Sequence, residues 1–256
     1  MVHKRTRGLT RWFFGPVPDD QMQRAYRVRV TLFFVLVVIL IVVLFLTYQF
    51  SHTLYQLNLA ESERDRWQRP DDVIESLNLK DGNVVADVGS GVGYFSLKIA
   101  PKVAEHGSVL AEDILGESLT FLWIRAFLHR QANIRIIHGH SDDPHLPKDG
   151  VDAVLIANSY HEFTRPLAML DHTFRALRSG GRLVVLDRGP RRFHGESREI
   201  QMQQYQIAAS IAEDEIRREG LEVISRDDHF IDLPATERPG DRPDDHVWWL
   251  IVARKP

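Results

Sequence analysis

The segment that decides the fold is VVADVGSGVGYFSLKIA, residues 84–100. It opens with a short apolar run that contains Asp87 near its end, continues with three closely spaced glycines, and turns amphipathic from Tyr94 onward. The glycines are Gly89, Gly91 and Gly93. This order predicts a buried strand, a tight loop and a helix, because glycine lets a backbone turn sharply and approach a ligand closely. The N-terminus of the following helix would present free N–H groups to that ligand.

The spacing of the glycines separates two classes of ligand. A dinucleotide-binding loop places its third glycine one position later, where this chain has Tyr94. A carboxylate at Asp87 would also lie unfavourably close to a pyrophosphate, whereas it suits a ligand that carries an ammonium and a sulfonium. The residues therefore favour S-adenosylmethionine over a nicotinamide dinucleotide.

Apolar runs alternate with amphipathic stretches on both sides of this segment, which predicts an α/β domain. The predicted strands are Asn83–Val88, Ser108–Asp113, Ile134–His138, Ala153–Ala157, Arg182–Asp187, Leu221–Arg226 and Val247–Ala253. The first five are short and rich in β-branched residues, as buried parallel strands are. Between the last two we predict only a loop, residues 227–246, and hence an antiparallel hairpin. The segment 189–220 has room for one helix and no separate substrate domain.

From about Trp67 onward the chain resembles the class I S-adenosylmethionine-dependent methyltransferases. Beside the glycine loop, the resemblance rests on GSVLAED (107–113), GHSDDPHLP (139–147), VDAVLIANSYHEF (151–163) and LRSGGRLVVLD (177–187), in the order that the family has them. It implies a Rossmann-like seven-stranded methyltransferase sheet that is mostly parallel, with an antiparallel final hairpin strand. The cofactor it implies is S-adenosyl-L-methionine.

The resemblance also assigns residues to the cofactor. Asp113 matches the acid that the family places on the ribose hydroxyls, and Glu112 is a possible substitute. The adenine-flanking loop departs from the pattern, because His140 stands where an Asp is common. The cofactor-binding residues predicted in this way are Asp87, Gly89, Gly91, Gly93, Tyr94, Asp113, Ser141, Asp142 and Asn158.

Three residues at the exit of the fourth strand, Tyr160, His161 and Glu162, are the predicted catalytic group. A base is needed only if the methyl acceptor has a proton to lose, and an imidazole that titrates near neutrality suits that task. We therefore predict His161 as the base. The alternative is that His161 only shapes the pocket or caps the next helix, since methyl transfer can proceed largely by positioning.

Three other features of the sequence bear on function: acidic and histidine clusters, a candidate lid and the C-terminal tryptophans. Clusters of Asp and His at 141–145, 227–229 and 244–246 suit a divalent cation, but two lie in the predicted hairpin loop, so we predict no metal. In members of the family that this chain resembles, a segment just before the domain covers the cofactor. By that resemblance, Arg66 and Trp67 are candidate lid residues. We expect Trp248 and Trp249 to pack in the hairpin and core.

Residues 30–46, VTLFFVLVVILIVVLFL, are apolar enough to cross a bilayer, and no charged residue occurs between Arg29 and Glu61. A cleaved signal peptide normally has a shorter apolar region. The predicted organisation is a basic tail (1–29), a transmembrane helix (30–49), a polar stalk and lid (50–70) and a methyltransferase domain (71–256). Arginines before the span predict a cytoplasmic N-terminus and thus an external domain. The supply of cofactor predicts a cytoplasmic domain instead.

Composition excludes some functions. The 32 Lys and Arg against 35 Asp and Glu form no long basic stripe, which argues against a nucleic-acid partner. The absence of cysteine excludes a disulfide framework and a thiol nucleophile. We predict a membrane-anchored methyltransferase for a small or membrane-soluble acceptor, such as a lipid or an isoprenoid quinone. The alternatives are a non-catalytic membrane-tethered binding or assembly protein and, third, a nicotinamide-dependent oxidoreductase. The sequence makes no prediction of the oligomeric state.

Overall fold

The computed structural model describes residues 20–192, 195–232 and 246–256. The chain divides into two compact units, Met1–Ser62 and Glu63–Pro256. Helix α1, Asp20–Gln68, begins in the first unit. Among the described residues it is the one helix long and apolar enough to cross a membrane, and none of its most apolar window is buried. The predicted span, residues 30–49, lies within it.

The second unit is an α/β domain. Its further helices are α2 (Pro70–Ser76), α3 (Tyr94–Ile99), α4 (Gly116–Leu128), α5 (Pro166–Ala176), α6 (Arg198–Gln203) and α7 (Ala209–Arg218), with a 3₁₀ turn at Tyr160–Glu162. Its strands are β1 (Val84–Val88), β2 (Ser108–Asp113), β3 (Ile134–His138), β4 (Val151–Ala157), β5 (Leu177–Pro190), β6 (Glu222–Ile231) and β7 (His246–Arg254).

The seven strands form one sheet in the order β3-β2-β1-β4-β5-β7-β6. Strands β1 to β5 are parallel, and β7 runs antiparallel to both β5 and β6. This topology confirms the predicted Rossmann-like seven-stranded sheet with its antiparallel final strand. The strand order reverses between β1 and β4, where the crossover connections open a crevice for a ligand.

Both faces of the sheet are covered, which is why its central strands are mostly apolar. One core includes Met169 and Leu170 of α5 and Ile216 of α7. The other includes Val73 of α2 and Phe95 of α3. With both faces buried, the exposed carboxyl ends of the parallel strands are the open edge at which a ligand can bind.

Three local predictions need correction. Strand β6 continues to Ile231, so residues 227–231 are strand rather than loop, because Phe230 and Ile231 are buried and Ile231 pairs with Trp248 of β7. The rest of the predicted loop, residues 233–245, lies outside the described residues. Strand β5 spans Leu177–Pro190 and so begins before and ends after the predicted strand Arg182–Asp187.

The third correction concerns the single helix predicted between β5 and β6, because the structure has two, α6 and α7. Tyr205 has a φ of 55°, in the left-handed region, which ends the helical path after α6. The side chain of Gln201 then accepts the backbone N–H of Ala208 at 2.6 Å, just before α7 begins. The interruption between α6 and α7 is thus stabilised by the backbone conformation of Tyr205 and by the Gln201–Ala208 hydrogen bond.

Candidate functional site

A cavity of about 580 Å³ opens at the carboxyl ends of β1, β2 and β4. Most of the residues predicted to bind a cofactor line it: Asp87, Gly89, Gly91, Tyr94, Asp113, Ser141 and Asn158. Gly93 and Asp142 are not part of the lining. The fold therefore brings together residues that are far apart in the sequence, and their role in binding stays a prediction.

The glycines of the loop serve two different purposes. Gly89 has a φ of +72°, and a β-carbon there would lie 2.5 Å from Cβ of Ser159. Gly93 has a φ of +92° and packs against Leu122 of α4, which leaves no room for a side chain. Gly91 lines the cavity, and a β-carbon there would meet no described atom within 4 Å. Gly89 and Gly93 thus allow close packing, whereas Gly91 borders open space.

Asp87 and Asp113 fix the shape of the cavity floor. Asp87 is buried and accepts a hydrogen bond from Oγ of Ser96 at 2.6 Å. Burial raises the pKa of the Asp87 carboxyl to about 6. The two oxygens of Asp113 accept the backbone N–H groups of Gly91 and Leu115, each at 2.8 Å. Asp113 therefore ties the glycine loop to the exit of β2.

Glu112, the possible substitute for Asp113, also lines the cavity. Its residue is 2% exposed, and one carboxylate oxygen accepts the N–H of Gly89 at 3.3 Å. Burial, reinforced by the charges of Asp113 and Asp87, raises the pKa of Glu112 to about 8. The carboxylate lies so close to Gly139 that a side chain there would collide with it. The structure thus places both acids in the site.

Three cavity residues carry a buried side-chain oxygen that has no hydrogen-bond partner among the described residues: Ser90, Glu112 and Asn158. Unpartnered buried polar atoms are uncommon, because each loses its hydration without compensation. Ile114, Leu115 and Met169 supply apolar walls nearby. Polar acceptors, carboxylates and apolar walls in a cavity of this size fit a ligand with amino, hydroxyl and heterocyclic groups, as S-adenosylmethionine has.

Only some of the residues of the predicted adenine-flanking loop line the cavity. His140 and Ser141 line the cavity. Asp142 instead accepts a hydrogen bond from Arg165 at 2.7 Å. Asn158 adopts a left-handed φ of 58°, and its N–H donates to the carbonyl of Leu186 at 2.7 Å. The polar atoms that face the cavity at this end therefore come from Ser141 and Asn158, rather than from Asp142.

Of the predicted catalytic group, only Glu162 reaches the cavity wall. Tyr160 and His161, which we predicted to act together with Glu162, do not line the cavity. Tyr160 is fully buried, and its Oη donates to Glu215 at 2.6 Å. Burial and the charge of Glu215 raise the pKa of Tyr160 well above its ordinary value. The Tyr160 phenol is therefore a neutral group in the core.

The His161 imidazole is also buried, with 1% of its side chain exposed. Its Nδ1 lies 2.8 Å from Oδ1 of Asp187, and its backbone N–H donates to Oδ2 of the same carboxylate at 2.9 Å. Its Nε2 lies 3.7 Å from Oε1 of Glu162. Sequence reasoning missed Asp187, although an acid at the end of the predicted fifth strand was a signal. The three residues form a chain that ends at the cavity.

The segment before α2 contributes a cavity residue that differs from the two predicted. Arg64 lines the cavity, and its guanidinium lies 3.9 Å from the ring centroid of Tyr94. Asp65 accepts the hydroxyl of Tyr94 at 2.6 Å. Arg66 is exposed, and Trp67 packs on Trp248 with ring centroids 5.6 Å apart. Arg64, rather than Arg66 or Trp67, is thus the residue at which a lid would meet a ligand.

Among the described residues no group of three or more His, Asp and Glu side chains is placed to hold a metal ion. The Asp and His cluster at 244–246 falls largely outside the described residues. The absence of a metal stays a prediction. As predicted, Trp249 is a core residue, and its indole N–H donates to the carbonyl of Ile207 at 2.7 Å.

Fold and cavity together define the class I S-adenosylmethionine-dependent methyltransferase fold. A solved SAM-dependent methyltransferase from Aquifex aeolicus has a TM-score of 0.59 to this chain at 19% sequence identity, over 73% of this chain and 89% of that one. A model of the ubiE/COQ5 methyltransferase family matches residues 57–211, more than half of the chain. The chain belongs to this family, and the predicted class and its cofactor are confirmed at the level of the family.

Curated relatives match a shorter part. The ubiquinone/menaquinone biosynthesis C-methyltransferase UbiE of Azotobacter vinelandii is 31% identical over 116 residues, which are 44% of this chain and 46% of that protein. The demethylmenaquinone methyltransferase of a Geobacillus species is 23% identical over 132 residues, 52% of this chain and 56% of that protein. The chain thus spans about half the length of the curated relatives it matches.

Proposed function

We propose that the protein is a membrane-anchored S-adenosylmethionine-dependent methyltransferase whose acceptor is a small quinol dissolved in the bilayer. The observation that carries the proposal is the cavity behind the glycine loop, in which three buried oxygens lack partners among the described residues. Membership of the ubiE/COQ5 methyltransferase family supports the reaction class. The long apolar helix supports the membrane location.

When bound, S-adenosylmethionine supplies an electrophilic methyl group. The residues of this chain would hold and orient it, because an in-line displacement depends on alignment and on exclusion of water. Asp87, Glu112 and Asn158 offer oxygens to its amino and hydroxyl groups. Leu115 and Ile114 offer apolar contact to its heterocycle. Gly93 and Asp142, which do not line the cavity, would act by packing and by the contact with Arg165.

A quinol acceptor is supported by two kinds of observation. The printed names of the relatives concern ubiquinone and menaquinone biosynthesis. The cavity also extends past Phe163 and Met169, which provide an apolar wall for an aromatic ring. An anchored domain meets membrane-dissolved molecules at a raised local concentration. A cytoplasmic domain would meet the cofactor pool, although the arginines before the apolar stretch favour the opposite side.

Methylation at carbon or at a hydroxyl releases a proton, so an acceptor of this class needs a base. Glu162 is the cavity residue placed to take that proton. His161 lies behind it, with Nε2 at 3.7 Å from the Glu162 carboxylate, and Asp187 holds the imidazole from the other side. We assign the cavity-facing role to Glu162 and a positioning role to His161, whose Nε2 also lies 3.4 Å from a guanidinium nitrogen of Arg188. This arrangement refines the sequence prediction, in which His161 was the base.

The test uses the full chain in proteoliposomes that contain a demethylated isoprenoid hydroquinone. With S-adenosylmethionine labelled in its methyl group, we expect label in the lipid extract. Glu162→Gln should lower kcat by about 100-fold or more, as loss of a general base does, with cofactor affinity unchanged. Glu199→Gln, an exposed carboxylate on α6, is the matched control.

The outcomes separate the alternatives. Cofactor binding without transfer to any quinol would support the non-catalytic binding protein. Tighter binding of NAD than of S-adenosylmethionine would support the oxidoreductase. A reporter fused after Pro256 would show on which side of the membrane the domain lies. We expect the cytoplasmic side, where the cofactor pool is, and an external domain would contradict that expectation.

A further inference from the structure

Helix α4 carries exposed apolar side chains on a surface where a sheet-packed helix is normally polar. Trp123 is 61% exposed, Phe127 is 75% exposed and Leu128 is 53% exposed. The rings of Trp123 and Phe127, one helical turn apart, stack with their centroids 6.5 Å apart. These three residues are called the α4 apolar face below. Exposed apolar clusters of this kind mark interaction surfaces.

The cavity does not account for this face. Ile114 and Leu115, just before α4, are also exposed, but both line the cavity and belong to the cofactor site. Among the described residues from 63 onward, the other large exposed apolar side chains are Ile200, Tyr205 and Ile224. They lie singly on α6, in the loop after it and on β6. The α4 apolar face is therefore a concentrated surface with a role of its own.

The sequence around the α4 apolar face is basic, which favours a negatively charged partner. No Asp or Glu occurs between Glu117 and Asp142. His129 and Arg130, directly after α4, are exposed. Trp and Phe beside basic residues form the composition that favours the interface of a bilayer with anionic headgroups.

The chain also keeps the domain near a bilayer. Residues 30–46 form the apolar stretch, and the second compact unit begins at Glu63. Residues 47–62 are all that separates the two, so an anchored domain stays within reach of the membrane surface. Residues 47–62 belong to helix α1, and contact of an anchored chain with the membrane surface is an intramolecular event with a raised effective concentration.

We propose that the α4 apolar face inserts into the headgroup region of an anionic bilayer and sets the orientation of the domain on the membrane. The inference rests on the proposed function only in requiring that the chain is anchored. The partner is the lipid surface itself. The apolar side chains contact the acyl boundary, and Arg130 contacts the lipid phosphates.

The protein has no cysteine, so a single cysteine reports one site in an otherwise native chain. A nitroxide is attached to Phe127→Cys in the full chain, reconstituted in vesicles of phosphatidylcholine and phosphatidylglycerol. Its collision rates with oxygen, which dissolves in lipid, and with a nickel chelate, which stays in water, are compared. Ile224→Cys on β6, also apolar and half exposed, is the matched control. Trp123→Cys is a second reporter of the same face.

We expect the label at 127 to collide several-fold more with oxygen relative to the nickel chelate than the label at 224. Raising the phosphatidylglycerol fraction should increase the difference. Equal, water-like values at 123, 127 and 224 would overturn the proposal. Spin–spin broadening between copies at 127, removed by dilution with unlabelled chain, would also overturn it and assign the face to a dimer. Failure of methyl transfer with a lipid-exposed label would contradict the proposed function alone.

Discussion

The raised pKa of the Glu112 carboxyl, about 8 instead of 4.5, predicts that the free energy of unfolding depends on pH. The folded protein therefore binds this proton more tightly than the unfolded chain does. Stability contributed by the protonated form is complete below about pH 4.5 and falls as the pH rises toward 8. Glu112→Gln removes the titration while keeping the size of the side chain and an oxygen that can accept the N–H of Gly89.

The magnitude follows from the raised pKa. Each pKa unit corresponds to about 1.4 kcal/mol, and about two and a half units lie between the ordinary value and pH 7. The Gln variant should thus exceed the wild type in free energy of unfolding by about 3 kcal/mol at pH 7. For a domain of this size, that is roughly 6–12 °C in Tm. At pH 4.5 the two proteins should unfold at nearly the same temperature.

The assay is thermal unfolding of the full chain in detergent micelles, without cofactor, at a series of pH values between 4.5 and 8. Glu105→Gln, an exposed carboxylate, is the control and should show no pH-dependent difference from the wild type. A difference for Glu112→Gln that is the same at every pH would refute the reasoning. So would a variant that is less stable than the wild type at pH 7, because the buried charge would then be compensated by contacts.

Three further predictions concern the loop and the residues around it. Gly89→Ala should abolish cofactor binding and lower the Tm, because the φ of Gly89 is positive and Ser159 leaves no space for a β-carbon. Gly91→Ala should cost only backbone strain of about 1 kcal/mol. Calorimetry measures cofactor binding and thermal unfolding measures stability, and equal effects of the two variants would contradict the packing argument. Tyr94→Phe removes the hydrogen bond from the Tyr94 hydroxyl to Asp65 and should lower the free energy of unfolding by about 1 kcal/mol, as measured by thermal unfolding. An unchanged free energy of unfolding would show that this hydrogen bond does not stabilise the fold. Asp187→Asn should lower kcat and shift its pH profile while leaving cofactor affinity unchanged, and an unaltered pH–rate profile would remove Asp187 as a positioning residue.

Much of the fold is predictable because it is encoded in local patterns. Residues 84–100 predict β1, the loop and α3 from the alternation of apolar runs, glycines and an amphipathic stretch. The same reasoning places the other strands within a few residues. Errors occur where tertiary pairing decides, as at residues 227–231, which begin with three polar residues but are extended by pairing with β7.

The site is less predictable, because the direction of a side chain depends on the backbone around it. Residues Tyr160–Glu162 form a single 3₁₀ turn, in which three successive side chains point in different directions. Only Glu162 faces the cavity, whereas sequence proximity predicted all three. Glu112 and Asp113 illustrate the same limit, because the sequence favoured Asp113 with Glu112 only as a substitute, whereas both acids line the cavity. Which oxygens meet backbone N–H groups is decided by the loop around them.

Affinity for S-adenosylmethionine tests the central claim most directly. The full chain in nanodiscs is titrated with the cofactor by calorimetry, with Gly89→Val as the variant that should close the site. We expect one site per chain with a Kd on the order of micromolar, or about −8 kcal/mol, and no heat for the variant. A folded wild-type chain that produces no binding heat, or a variant that binds equally well, would contradict the claim that this cavity holds the methyl donor.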